Sequence, residues 1–324
     1  MSVAELVPVD DRRAARDGAA SWIFRIPTRL AGWLLGALLC MTPATAIVAQ
    51  GWLMGRMRRL AVDAARRRAG PEAPAWAPAT PPATESVLRR GVRVAGEGVL
   101  AALSAFLGLL PFTALVMLSW WGGWENSFSK GYEQSWVGPT LGLLGVAIGL
   151  PLLARLPMAL AHQAVERRFA AFFERRVVRR IMAHGGWEHV ALTLCLVLAA
   201  SPLFAAKGLP VFVEQIRPGF EALTEEEARA FARGWRLAAA AYLFGGLWLL
   251  RGWSARLYAK ARLRSEAAGS MRLGFMGWVR LAVAGGLWFG LIAQIYVGQF
   301  LNHDWADWLN PPLVALPVAP SLGG

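Results

Sequence analysis

Ionisable side chains set within apolar runs are where chemistry would begin in this sequence, because a charge in hydrocarbon costs several kcal/mol and is kept for a reason. Arg155 lies between Pro151 and Pro157 in the stretch LPLLARLPMAL. Proline in a helix frees backbone carbonyls, so a guanidinium beside them suits an anion or a lipid headgroup. The same long stem also lets the charge snorkel to the inner interface. His162 closes one apolar run and His189 opens the next. The two rings could ligate one haem iron or metal if they faced each other near the inner leaflet. His303 and Asp307 are four residues apart, with Asp304 beside them, a small set of the kind transition metals accept and chance also produces. Glu97 and Glu188 open runs two and four at their cytoplasmic boundary. Pairing with neighbouring Arg is their expected role, since a proton relay needs carboxylates at mid-membrane.

Motifs with a defined mechanism are missing. The sequence contains no phosphate-binding P-loop, no Gly-rich dinucleotide turn after a strand, no zinc-binding helix motif and no nucleophile elbow. The expectation is therefore a non-catalytic protein with no cofactor, haem or metal being the alternatives that the histidines leave open.

The elements that position these residues follow from composition. The chain has 324 residues, 56% hydrophobic and 17% charged, against roughly 45–50% and 25% in soluble domains. Its formal charge of +13 would suit nucleic acid, but the basic residues sit in blocks beside long apolar runs, as in the cytoplasmic loops of membrane proteins. Nucleic acid is not expected as a partner. Only Lys130, Lys207 and Lys260 are lysines among 34 basic residues, a bias that fits a GC-rich bacterial genome, and apolar helices rather than barrel strands then point to an inner-membrane address. Cys40 and Cys195 both fall in apolar runs and read as small hydrophobes, not a disulfide.

A spanning helix needs about 20 mostly apolar residues. Six runs qualify or nearly so: 31–54, 97–121, 138–161, 188–206, 235–250 and 277–301. The fifth is short, but Thr224 and Glu227 form a capping box, so one helix is expected to start in the external loop and continue through the membrane. The segments after runs one, three and five carry nine, six and six basic residues, and the other segments carry fewer. By the positive-inside rule, runs two to six alternate and the C-terminus lies outside. Run one has Arg on both flanks, Arg12, Arg13, Arg16, Arg25 and Arg29 before it and Arg56, Arg58 and Arg59 after it. Either it spans with an exported N-terminus, or it dips and returns, broken at Thr42-Pro43-Ala44-Thr45.

The expected fold is thus all-α: a polytopic helical integral membrane protein with five spanning helices plus one Pro-broken N-terminal membrane segment, re-entrant or a sixth span. Its parts are a basic tail (1–30), the first membrane segment with its basic flank (31–70), a Pro/Ala-rich linker (71–84), a five-helix bundle (85–302) and an external tail (303–324). The cytoplasmic stretch 162–184 has no helix breaker and its apolar positions drift around the wheel. It reads as a helix on the inner leaflet or as a solvated extension of run three. The pairs Gly138/Gly142, Gly145/Gly149 and Gly286/Gly290 are small-xxx-small spacings that admit close helix packing. Trp120, Trp121, Trp124, Trp136, Trp305 and Trp308 flank the runs as an interfacial belt would.

Two functions fit these observations. One is a non-catalytic component that scaffolds, assembles or regulates a larger inner-membrane complex, with lipid and other membrane subunits or a second copy as partners. The other is a permease or lipid-handling protein, favoured by the recurring prolines.

Overall fold

The computed structural model describes residues 30–70, 73–77, 86–126, 135–207, 213–214, 217–268, 275–301, 309–310, 313 and 316–319. Among the described residues the chain is all-helical, without strands. In chain order the α-helices are α1 (Leu30–Leu39), α2 (Pro43–Ala69), α3 (Val87–Trp120), α4 (Val137–Glu166), α5 (Arg175–Ala183), α6 (Trp187–Lys207), α7 (Glu225–Ala267) and α8 (Phe275–Leu301). Four helices are long and apolar enough to cross a membrane: Val87–Gly123, Val137–Glu166, Gly186–Ala206 and Phe275–Val297. These cover runs two, three, four and six.

Run one is two helices. Thr42 caps α2, its hydroxyl accepting from the Thr45 amide at 3.3 Å, and Pro43 stands in the first turn, where its missing N–H removes no helical bond. Residues 40–42 form the break. Trp52 fills the space beside Gly32, and Phe244 fills that beside Gly36. Residues 32 and 52 of one continuous helix would be about 30 Å apart, so α1 folds back along α2 as a hairpin. Its tip is held by the rest of the chain: the Cys40 carbonyl accepts from the Ala319 amide at 2.8 Å, and the Met41 carbonyl from Arg236 at 2.7 Å.

Helix α7 contains run five and is 43 residues long, about 65 Å at 1.5 Å per residue. The Thr224–Glu227 capping box is present, with both reciprocal bonds made. Glu225–Glu227 then place negative charge at the positive end of the helix dipole.

Glycines set the closest helix crossings. A Cβ on Gly98 of α3 would lie 1.9 Å from the Ile47 carbonyl oxygen, and one on Gly51 of α2 would lie 1.7 Å from the Val94 oxygen. The two backbones therefore touch at a point that no other residue type fits. Gly138, Gly142, Gly145 and Gly149 are buried along α4 against Gly123, Ser119, Val116 and Phe112 of the α3 side. On α8, Gly290 meets Val197, whereas nothing lies within 4 Å of a Cβ on Gly286.

The 162–184 stretch is not one helix. Arg167 ends α4 in the left-handed conformation, φ 56° and ψ 25°. A 3-10 turn over Phe169–Phe173 follows, and α5 then begins. Phe172 is buried in the space beside Gly108, which pulls the chain back under the bundle. The wheel drift has this cause: two short helical pieces bury different faces.

Candidate functional site

Of the groups that sequence reading singles out, His162 lies in a polar cluster where α4 and α7 emerge from their apolar runs, and the others lie elsewhere. His162, 2% exposed, bonds Tyr258 through Nδ1 at 2.9 Å and Glu174 through Nε2 at 2.8 Å. A carboxylate only accepts, so Nε2 carries the proton. Nδ1 is then the acceptor and the Tyr258 hydroxyl its donor. The Tyr258 oxygen in turn accepts from Arg262 at 2.6 Å, and Arg168 donates to Glu174 at 2.9 Å. Every group in this chain from Arg262 to Glu174 is satisfied in one consistent direction. Arg262 also pairs with Glu166 at 2.8 Å and Glu266 at 3.0 Å, and it lies over the Trp76 ring at 4.4 Å. The Trp76 indole donates to Glu266 at 3.2 Å. Residues 73–77 of the Pro/Ala-rich stretch are thereby docked on α7, with the Ala77 carbonyl accepting from Arg66 at 3.1 Å.

The electrostatics agree with this geometry. Bonds from His162 and Arg168 hold the Glu174 carboxyl below the ordinary carboxylate range. Burial pushes the Tyr258 phenol up, so it stays a neutral donor.

Several other ionisable groups also tie helices together. Glu97 of α3 receives Arg58 of α2 at 2.9 Å, Arg167 at 3.3 Å and Arg93 at 3.6 Å, all on Oε1. Glu188 of α6 pairs with Lys260 and accepts from Trp253 at 3.2 Å, both on α7. Arg180 of α5 donates to the Ser265 carbonyl at 2.9 Å. Within the apolar layer, Arg251 of α7, 4% exposed, donates to Gln50 of α2 at 2.6 Å.

Arg155 stands apart. It is half-buried on α4, which runs on through both flanking prolines, and its charged neighbour is Arg175. Arg175, Arg176 and Arg179 are exposed on α5 while Val178, Ile181 and Met182 are buried. Among the described residues none of these four arginines makes an ion pair, so α5 and Arg155 present a cationic edge.

His189 is also 2% exposed. The Ala154 backbone lies beside it, yet neither ring nitrogen makes a hydrogen bond of normal geometry. Since Tyr258 and Glu174 take both nitrogens of His162, the two histidines do not present a pair of open ring nitrogens to one iron. No group of three or more His, Cys, Asp or Glu able to hold a metal occurs among the described residues. His303, Asp304 and Asp307 lie outside the described residues, as do Trp305 and Trp308. Trp121 and Trp136 are exposed, whereas Trp120 is buried against Tyr296.

Sequence reading missed Tyr258, Arg262, Glu174, Gln50 and Arg251 as members of these clusters. Spacing held a signal for some of them: His162 and Glu166, Tyr258 and Arg262, and Arg262 and Glu266 are each four apart and so share a helix face. Gln50 is a polar residue in an apolar run, the type that seeks a partner across helices. Comparison with protein-family models, curated proteins and solved structures finds no match to this chain.

Proposed function

We propose that this chain is a non-catalytic, multi-pass component of a bacterial inner membrane that scaffolds, assembles or regulates a larger complex. The observation that carries the reading is the chain Arg262–Tyr258–His162–Glu174, which spends the histidine, phenol and carboxylate at the cytoplasmic end on joining α4, α5 and α7. A general base needs an open nitrogen or oxygen within reach of a substrate proton, and this arrangement fills both ring nitrogens. What remains for partners is the cationic edge of α5 with Arg155, suited to acidic protein segments or anionic headgroups.

In the topology that goes with this reading, five helices cross the membrane, α3, α4, α6, α7 and α8. The α1–α2 hairpin enters from the cytoplasm and returns, and the C-terminus is periplasmic. The Arg-rich flanks on both sides of the hairpin support this, as does its fold-back against α7. Its backbone is covered on the protein side, as re-entrant segments require.

Affinity purification of the full chain after gentle solubilisation, followed by mass spectrometry, tests the proposal. Stoichiometric membrane subunits that are lost when Arg175, Arg176 and Arg179 are replaced by Gln are expected. A monodisperse homo-oligomer that carries only solute or lipid would favour the permease or lipid-handling alternative.

A further inference from the structure

Helix α3 is longer than a membrane needs. Its span Val87–Gly123 has 37 residues, about 55 Å at 1.5 Å per residue, against roughly 30 Å of hydrocarbon. A tilt of 40° still leaves about 42 Å. Arg89, Arg90, Arg93 and Glu97 mark the N-terminal end as the part that stands outside. Leu88 lies about 13 Å beyond Glu97 along the helix, past a headgroup zone that is roughly 6 Å deep on each side.

The outer side of this projecting end is nonetheless apolar. Leu88, Val92, Val99, Leu103, Phe106 and Leu110 are all exposed, Leu88 by 78% and Val92 by 68%. At 3.6 residues per turn they fall within about 60° of arc and form a stripe about 33 Å long. Val92, Val99 and Phe106 recur every seven residues, the spacing at which two helices pack along one seam. The contacts of α3 with its own bundle use another side, where Gly98 and the Val94 carbonyl meet Ile47 and Gly51 of α2 and Gly108 meets Phe172. Lipid tails cover the stripe from Val99 to Leu110. They do not reach Leu88 and Val92.

The charge beside the stripe selects what fits it. Arg89 borders the stripe and Arg90 lies on the same turn; both are exposed, and neither makes an ion pair among the described residues. A second copy related by a two-fold axis along the membrane normal would set these arginines against their own counterparts. Glu97, the one acidic residue of α3, is turned to Arg58 of α2 and answers neither. We infer that the stripe docks a helix of another membrane protein, which crosses beside α3 and continues into the cytoplasm. That helix carries apolar residues at seven-residue spacing and Asp or Glu opposite Arg89 and Arg90. The inference names one partner of the scaffold reading and rests on it.

The test is photo-crosslinking of the full chain in cells of its native host, with p-benzoylphenylalanine placed singly at Leu88, Val92, Val99 or Phe106, and at exposed Leu143 of α4 as the lipid-facing control. The four stripe positions are expected to capture one and the same membrane protein, on a helix whose cytoplasmic turns carry Asp or Glu, and Leu143 is not. Arg89→Glu/Arg90→Glu keeps the thermal midpoint of the wild type, yet the yield at Val92 falls roughly tenfold through like-charge repulsion, and Lys in place of the partner's acidic residues restores it. Capture of a second copy, a captured helix without acidic residues, or a yield indifferent to charge reversal would each overturn the inference. Stoichiometric subunits in the affinity purification with no capture along the stripe would overturn this site alone; no subunits and no capture would overturn the scaffold reading with it.

Discussion

Gly98→Ala is expected to weaken the fold at the α2–α3 crossing. Its Cβ would lie 1.9 Å from the Ile47 carbonyl oxygen, where ordinary contact begins at 3.4 Å, so the helices must separate locally by about 1.5 Å. Both parties are backbone-fixed, and no rotamer relieves the clash. Overpacking of this kind costs about 1–3 kcal/mol, and a shift this large belongs at the upper end. Alanine returns about 1 kcal/mol through helix propensity, which leaves a net loss of roughly 2 kcal/mol by these two rules. The control is Gly286→Ala, where nothing lies within 4 Å of the new Cβ and only the propensity gain applies. Thermal unfolding in detergent, followed by tryptophan fluorescence, gives the readout. If Gly98→Ala melts with or above the wild type, as Gly286→Ala is expected to, the close crossing is wrong.

Two further outcomes follow from the polar ties. Glu174 titrates below its ordinary value in the fold because His162 and Arg168 donate to it. Its contribution is therefore complete above the unfolded carboxylate pKa of about 4.3 and is lost as pH falls through the lower folded value. The melting temperature of the wild type should drop more steeply than that of Glu174→Gln in that acid window, and parallel curves would contradict the tie. Gln50→Leu removes one acceptor of buried Arg251 and should destabilise by about 1.5–3 kcal/mol, the worth of a hydrogen bond to a charged group; chemical denaturation showing no change would refute it.

The elements that were legible in the sequence are those whose causes are local. Thr42-Pro43 marks the break in run one because a capping hydroxyl and a first-turn proline act within three residues. The Thr224–Glu227 box marks the start of α7 for the same reason. Apolar length alone placed α3, α4, α6 and α8. The rest depends on partners far apart in the chain. Gly51 and Gly98 carry no mark that each needs the other's helix, and nothing in the neighbourhood of His162 points to Tyr258, 96 residues away. The division of 162–184 into two pieces was hidden because its pivot is Arg167 in a conformation usually signalled by glycine. The relation of Arg155 to Arg175 depends on the turn at Arg167, which brings α5 back beneath α4.

Impermeant thiol labelling tests directly whether the α1–α2 hairpin returns to the side from which it came. In a chain carrying Cys40→Ala and Cys195→Ala, single Glu5→Cys and Arg67→Cys variants report the two ends of the hairpin. Both are expected to resist an impermeant maleimide in intact cells and to react in inverted membrane vesicles. Labelling of Glu5→Cys in intact cells, with Arg67→Cys still protected, would make run one a full crossing and contradict the re-entrant hairpin.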